Sequence, residues 1–280
     1  MKSIREVKQI IEGIRASDGD GVQLTRIIGS VELESLDPFL LLDAFGSDKP
    51  QDYIGGFPSH PHRGFETVTY MLAGKMRHKD SAGNEGVIEA GGVQWMTAGK
   101  GIIHSEMPEQ DEGLLAGFQL WVNLPANQKM SEPKYQERPK DEINQEQRGN
   151  GTNVTVIAGT TKMGTEGIIE NELIDPTYWD VELLAESKFD DLVNIEHNAF
   201  IYLIDGSIEI GELRKLINKG QLAVLSEGTD VFIKATKDSR FLLIAGKPIN
   251  EPVVRAGPFV MNTREEIQQA FNDYNAGRLA

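Results

Sequence analysis

The sequence predicts an all-β protein made of two β-barrels and closed by one helix. Three observations carry this. First, short apolar runs rich in Val, Ile, Thr and aromatics recur along the chain, among them VQLTRIIG, FETVTYMLAG, GVQWMTAG, FIYLIDG and FLLIAG. Each is bounded by Gly, Asp or Asn, the pattern of short strands and turns that belongs to sandwiches and barrels. Second, ETVTYMLAGKMRH at 66–78 aligns without gaps to NAFIYLIDGSIEI at 198–210, setting Tyr70 against Tyr202 and Gly74 against Gly206. GGVQWMTAG at 91–99 likewise resembles KGQLAVLSEG at 219–228, and an internal duplication accounts for both matches. Third, the segment 127–151 has almost no apolar content and reads as a linker or exposed arm between two strand-rich halves. The expected domains are residues 1–135 and 136–280.

Taken in order, the N-terminal stretch reads as strand, because Val7, Ile11 and Ile14 do not make a broad helical face. It is broken by charge every few residues and has no apolar signal-peptide core. No run of about 18 apolar residues occurs, so no membrane-spanning helix is expected. A soluble, cytoplasmic protein is expected, or a nuclear one if the source is eukaryotic. At the other end, Thr263 followed by Glu266 forms a capping box. Ile267, Ala270, Phe271 and Tyr274 then follow helical spacing, and Gly277 stops the helix.

Composition removes whole classes of chemistry. The chain has 280 residues and a formal net charge of −15, which repels phosphate and anionic lipid. Direct nucleic-acid binding and membrane docking are therefore not expected, and any macromolecular partner should be a protein. Cysteine is absent, which excludes disulfides, thiolate metal sites and a cysteine nucleophile. The five histidines are His60, His62, His78, His104 and His197.

Three of them fall in two short strand-like pieces. SHPHRGFETV holds His60 and His62 two apart with Glu66 four further on, and GIIHSEMP holds His104 and Glu106 two apart. Residues i, i+2 and i+6 of a strand share a face. The two pieces facing one barrel interior would supply three imidazoles and a carboxylate, donors that suit Fe(II), Ni(II), Cu(II), Mn(II), Co(II) or Zn(II). The competing reading is that both are turn or surface segments. Two His-containing pairs of the same parity in a histidine-poor chain argue against it. His78, among charges beside a hairpin turn, reads as exposed or rimming the pocket, and His197 as a surface or interface residue. Trp95, Phe118 and Trp121 read as core.

The motifs narrow this further. G-x(4)-H-x-H-x(3)-E-x(7)-G from Gly55 to Gly74 and G-x(6)-G-x-G-x(2)-H from Gly92 to His104 resemble the two cupin motifs. Gly99 stands at the usual proline position of the second and Pro108 at the usual asparagine. HPHRGFETVTYMLAG followed by QWMTAGKGIIHSEMP is similar to the narrower pirin family of two-barrel cupins, as are LDPFLLLDAF at 36–45 and GPFVMNTREEIQQAFNDY at 257–274.

That resemblance implies one metal ion, usually iron, in the N-terminal barrel, held by His60, His62, His104 and Glu106. Many other cupins use the first-motif glutamate, here Glu66. The resemblance also implies quercetin 2,3-dioxygenase activity, in which a flavonol and O2 yield carbon monoxide and a depside. Glu106 is the first candidate for the proton acceptor and Glu66 the second. Phe57, beside the HPH strand, is a candidate wall for a flat substrate. The alternatives are a redox-sensing regulator that binds a protein partner, or a metal cupin acting on another small molecule. By the internal alignment Leu192, Asn194 and Asn198 replace His60, His62 and Glu66, so the C-terminal barrel is expected to lack a metal.

Overall fold

The computed structural model describes residues 3–149 and 151–280. The chain forms two compact units that are not contiguous in sequence. The histidine-bearing unit comprises Ile14–Ser30, Phe39–Lys140 and Ile249–Ala280. The second unit comprises the chain up to Gly13, Val31–Pro38 and Asp141–Pro248. A division at 135/136 therefore misplaces both termini. The strand Val7–Glu12 pairs with Gln221–Leu225, and Phe259 bridges to Arg63.

Each unit holds a seven-stranded and a four-stranded sheet. In the histidine-bearing unit the large sheet runs Lys134–Arg138, Val93–Thr97, Phe65–Ala73, Leu115–Asn123, Phe39–Ser47, Val22–Ile28, Ile14–Asp18. Its small sheet runs Phe57–His62, Ile102–Pro108, Lys75–Asp80, Glu85–Glu89. In the second unit the large sheet runs Val7–Glu12, Gln221–Leu225, Asn198–Asp205, Ser239–Gly246, Thr177–Leu183, Thr152–Ala158, Asn144–Arg148. Its small sheet runs Lys188–Leu192, Asp230–Ala235, Ser207–Ile210, Lys215–Asn218. The two orders correspond strand for strand, and the segments aligned in sequence, Phe65–Ala73 with Asn198–Asp205, occupy equivalent places. This is the duplication seen at the level of topology.

The polar segment 127–151 is not a bare linker. Lys134–Arg138 and Asn144–Arg148 are edge strands of the two large sheets, and Lys129 is buried. An edge strand satisfies its backbone hydrogen bonds without needing an apolar face, so composition conceals it. Position 150, part of that expected linker, lies outside the described residues.

The second unit fills its interior with apolar side chains. Trp179, Phe189, Phe241 and Leu243 are buried there, with the Phe189 and Phe241 rings edge to face at 5.8 Å. Burying each such side chain contributes about 1.5–3 kcal/mol. Leu192 and Asn194, set against His60 and His62 by the alignment, are exposed.

The helix Arg264–Asn275 ends the histidine-bearing unit and carries the expected capping box. Thr263 Oγ1 accepts from the Glu266 N–H at 3.2 Å, and Glu266 Oε2 accepts from the Thr263 N–H at 2.9 Å. Its buried face, Ile267 and Ala270, packs with Phe271 against Phe259. Among the described residues no helix is long and apolar enough to cross a membrane.

Candidate metal centre

His60 and His62 lie on the strand Phe57–His62, and His104 and Glu106 on the antiparallel strand Ile102–Pro108. Register sets His60 directly opposite His104, and a bulge after His104 sets Glu106 opposite Phe57. The ring centroids of His60 and His104 are 4.4 Å apart, and those of His62 and His104 are 5.0 Å apart. One nitrogen from each of the three histidines falls within 4.8 Å of the others.

The tautomers follow from the neighbours. His60 Nδ1 is 2.8 Å from the Pro58 carbonyl, which can only accept, so Nδ1 carries the proton and Nε2 the lone pair. That Nε2 is 3.0 Å from His62 Nε2. Two nitrogens bound to one first-row ion at roughly 2.0–2.1 Å stand about 3 Å apart. Burial first, and then the neighbouring imidazoles, hold His62 and His104 well below the ordinary histidine range. Both are therefore neutral at pH 7, the form that ligates metal. Both ring nitrogens of His104 are buried without a hydrogen-bond partner. A buried imidazole with two idle nitrogens is costly unless a ligand engages it, so the cluster fits a metal ion.

Glu106 stands beside this cluster but outside the group of three. Its Oε1 is 3.0 Å from Thr69 Oγ1, which is also 2.7 Å from Gln119 Oε1. A hydroxyl has one proton to give. Thr69 therefore donates to one of these two oxygens at a time, Glu106 Oε1 or Gln119 Oε1. Burial raises the Glu106 carboxyl pKa above its ordinary value, and His60, the Thr69 hydrogen bond and His78 partly offset this.

Glu66 does not share the face of His60 and His62. Gly64, at φ +87°, ends the first strand, so alternation restarts at Phe65. An added Cβ at Gly64 would meet the Val260 carbonyl oxygen at 2.0 Å, so no other residue fits that turn. Thr69 points at Glu106, and Glu66 is of the opposite parity and accepts from Thr97 at 2.7 Å.

The remaining histidines differ from expectation. His78 is buried, because alternate residues Met76, His78 and Asp80 face inward. It pairs across the sheet with Glu106, and its Nε2 lies 2.7 Å from Glu137 Oε2. His197 is also buried; its carbonyl accepts from Arg5 at 2.9 Å, and burial lowers its imidazole pKa.

A cavity of about 680 Å³ opens onto the cluster. His60, His62 and Glu106 lie on its wall together with Phe57, Trp121, Gln119 and Arg255. Trp121 is thus a wall residue, with its ring 5.3 Å from that of His62. Arg255 comes from the terminal hairpin Val254–Ala256/Phe259–Met261. Its contribution was not legible in sequence, since nothing near it patterns with the histidine motifs.

The fold and site together define a two-barrel cupin with a histidine cluster at the wall of a cavity in one barrel. Comparison with known proteins makes this specific. The family model described as Pirin matches residues 21–122, and that of the Pirin C-terminal cupin domain matches 178–280. A pirin-like protein of Caulobacter vibrioides is 52% identical over 276 residues, covering 99% of both chains. Human pirin is 44% identical over 280 residues, covering 98% of this chain and 93% of its own. A crystal structure of a quercetin 2,3-dioxygenase from Acinetobacter baumannii superposes with a TM-score of 0.92 at 34% identity, covering 99% of both chains. The chain belongs to the pirin family.

Proposed function

We propose that the chain is a metal-dependent dioxygenase that cleaves quercetin-like flavonols with O2 and releases carbon monoxide. The observation that carries this is the group of three histidines, two of which, His60 and His62, line a cavity of about 680 Å³. A cavity of this size suits a small aromatic molecule. The Acinetobacter structure that bears the quercetin 2,3-dioxygenase name supports the same reading.

His60, His62 and His104 would hold the ion, with Glu106 as the carboxylate of the set. When bound there, a divalent first-row metal supplies a Lewis acid and a template for the flavonol 3-oxygen; iron is proposed first, and nickel, copper, manganese, cobalt or zinc suit the same donors. The protein supplies the rest. Phe57, Trp121, Leu24 and Leu41 flank a flat ring and exclude water. Glu106 takes the 3-hydroxyl proton at Oε1, the atom that faces Thr69. Its raised pKa brings the carboxylate closer to the acidity of the group it must deprotonate.

Metal analysis combined with carbon monoxide release from quercetin tests this. His62→Ala should lose both metal and carbon monoxide release, and a His60→Ala/His104→Ala double variant should retain no metal. Metal retention in the double variant would remove the site. Metal-loaded wild type that releases no carbon monoxide with any of these ions would remove the reaction and leave a metal cupin for another small molecule.

A further inference from the structure

The cavity wall carries one arginine, Arg255, that makes no salt bridge among the described residues, though Asp43 and Asp18 attract it at longer range. Asp18, Asp20, Asp43 and Arg255 all line the cavity. Two of those carboxylates are already engaged by Arg26. Its Nε and Nη2 reach the two Asp43 oxygens at 2.9 and 2.7 Å, and Nη2 reaches Asp18 at 2.9 Å. Arg255 is left with no salt bridge to a carboxylate among the described residues. Its guanidinium instead lies over the Trp121 ring, 4.4 Å from the centroid. That ring is in turn edge to face with His62 at 5.3 Å. His62, Trp121 and Arg255 therefore form a line from the histidine cluster to the mouth along one wall.

A guanidinium stacked on an indole is held in plane, with its fork of N–H donors turned to the edge. Such a fork matches an anionic or acidic oxygen. A flat molecule whose reacting oxygen sits at the histidines would lie along Trp121 and present its far edge to Arg255.

The structure assigns Arg255 as a specificity-determining residue that binds an acidic oxygen, phenolic or carboxylate, on the end of the aromatic substrate remote from the histidines. This rests on the proposed reading of the cavity as the substrate site, and it adds which aromatic molecules that site selects. Arg255 is itself exposed, on the outer strand of a hairpin whose partner strand Phe259–Met261 is buried, so its replacement leaves the barrel core intact.

The test is equilibrium binding to the metal-loaded protein under argon, where no turnover intervenes. The ligands are quercetin and 3-hydroxyflavone, which keeps the 3-hydroxyl and lacks the hydroxyls of the outer rings. Arg255→Met should weaken quercetin binding about ten- to a hundred-fold, the usual worth of a charge-assisted hydrogen bond. It should leave 3-hydroxyflavone nearly unchanged. Arg255→Lys, which keeps the charge and loses the fork, should fall between. Equal weakening of both ligands, or unchanged quercetin binding, would overturn the assignment. Carbon monoxide release by the wild type separates the two ideas. Arg255-dependent binding without carbon monoxide keeps this inference and removes the reaction. Carbon monoxide release with Arg255-independent binding does the reverse, and a wild type that binds neither flavonol overturns both.

Discussion

Lys129 shows how much one polar side chain can hold in place. Its ammonium donates to the Gly64 carbonyl at 2.7 Å, to Asn123 Oδ1 at 2.7 Å and to the Val260 carbonyl at 3.1 Å. The first of these acceptors lies two residues past His62, so the lysine pins the turn that ends the ligand strand. Burial outweighs the attraction of Glu251 and Glu266 and draws its pKa down to about 8 from 10.5. Between those values the unfolded chain binds a proton that the folded chain has released. Stability therefore rises with pH across that window, and is reduced once pH falls below the folded value. Lys129→Met removes the donor from three buried acceptors and should cost on the order of 1–3 kcal/mol at pH 7. It should also flatten the rise, so the deficit relative to wild type grows from pH 8 to 10.5. Urea unfolding at several pH values checks this, and a difference independent of pH would refute the assignment of that titration to Lys129. Nothing in the sequence marks this residue, because a lysine in a polar stretch normally points to solvent.

At the scale of elements, local signals were reliable where they act locally. The capping box at Thr263 and the spacing of Ile267, Ala270 and Phe271 read directly as the helix Arg264–Asn275. Thr263→Ala should destabilise the protein by about 1 kcal/mol, seen as a lowered thermal midpoint that a Thr263→Ser variant restores. An unchanged midpoint would show that packing against Phe259 alone holds the helix. Parity was equally sound within one strand, since His104 and Glu106 both face inward from Ile102–Pro108. It failed across a strand end. Extending the phase from His62 to Glu66 crosses Gly64, whose left-handed backbone restarts the alternation. The edge strands Lys134–Arg138 and Asn144–Arg148 escaped notice for a related reason, because their stability lies in backbone pairing rather than in an apolar pattern.

At the scale of the molecule, the last segment of the chain, Ile249–Ala280, belongs to the unit that holds His60, His62 and His104. The Arg63 N–H donates to the Pro258 carbonyl at 3.4 Å, the Val260 N–H to the Arg63 carbonyl at 3.0 Å, and Arg63 pairs with Asp273 at 2.8 Å. Arg255, Gly257 and Pro258 complete the cavity wall. A chain ending at Pro248 should therefore lose metal as well as heat stability. Metal analysis of the purified truncation tests this, and wild-type metal content would show that the HPH turn holds its shape unaided. What the sequence determined by itself was whatever short-range pattern encodes: the strand-rich class, the duplication, the capped helix, and the spacing that places three histidines on two strands. Only the tertiary structure decided that those histidines converge within 4.8 Å, that Glu66 turns away, that His78 is buried, and that a hairpin far along the chain brings Arg255 over Trp121. The physical reason is that these are contacts between segments remote in sequence, set by sheet register and packing, and no local periodicity records them.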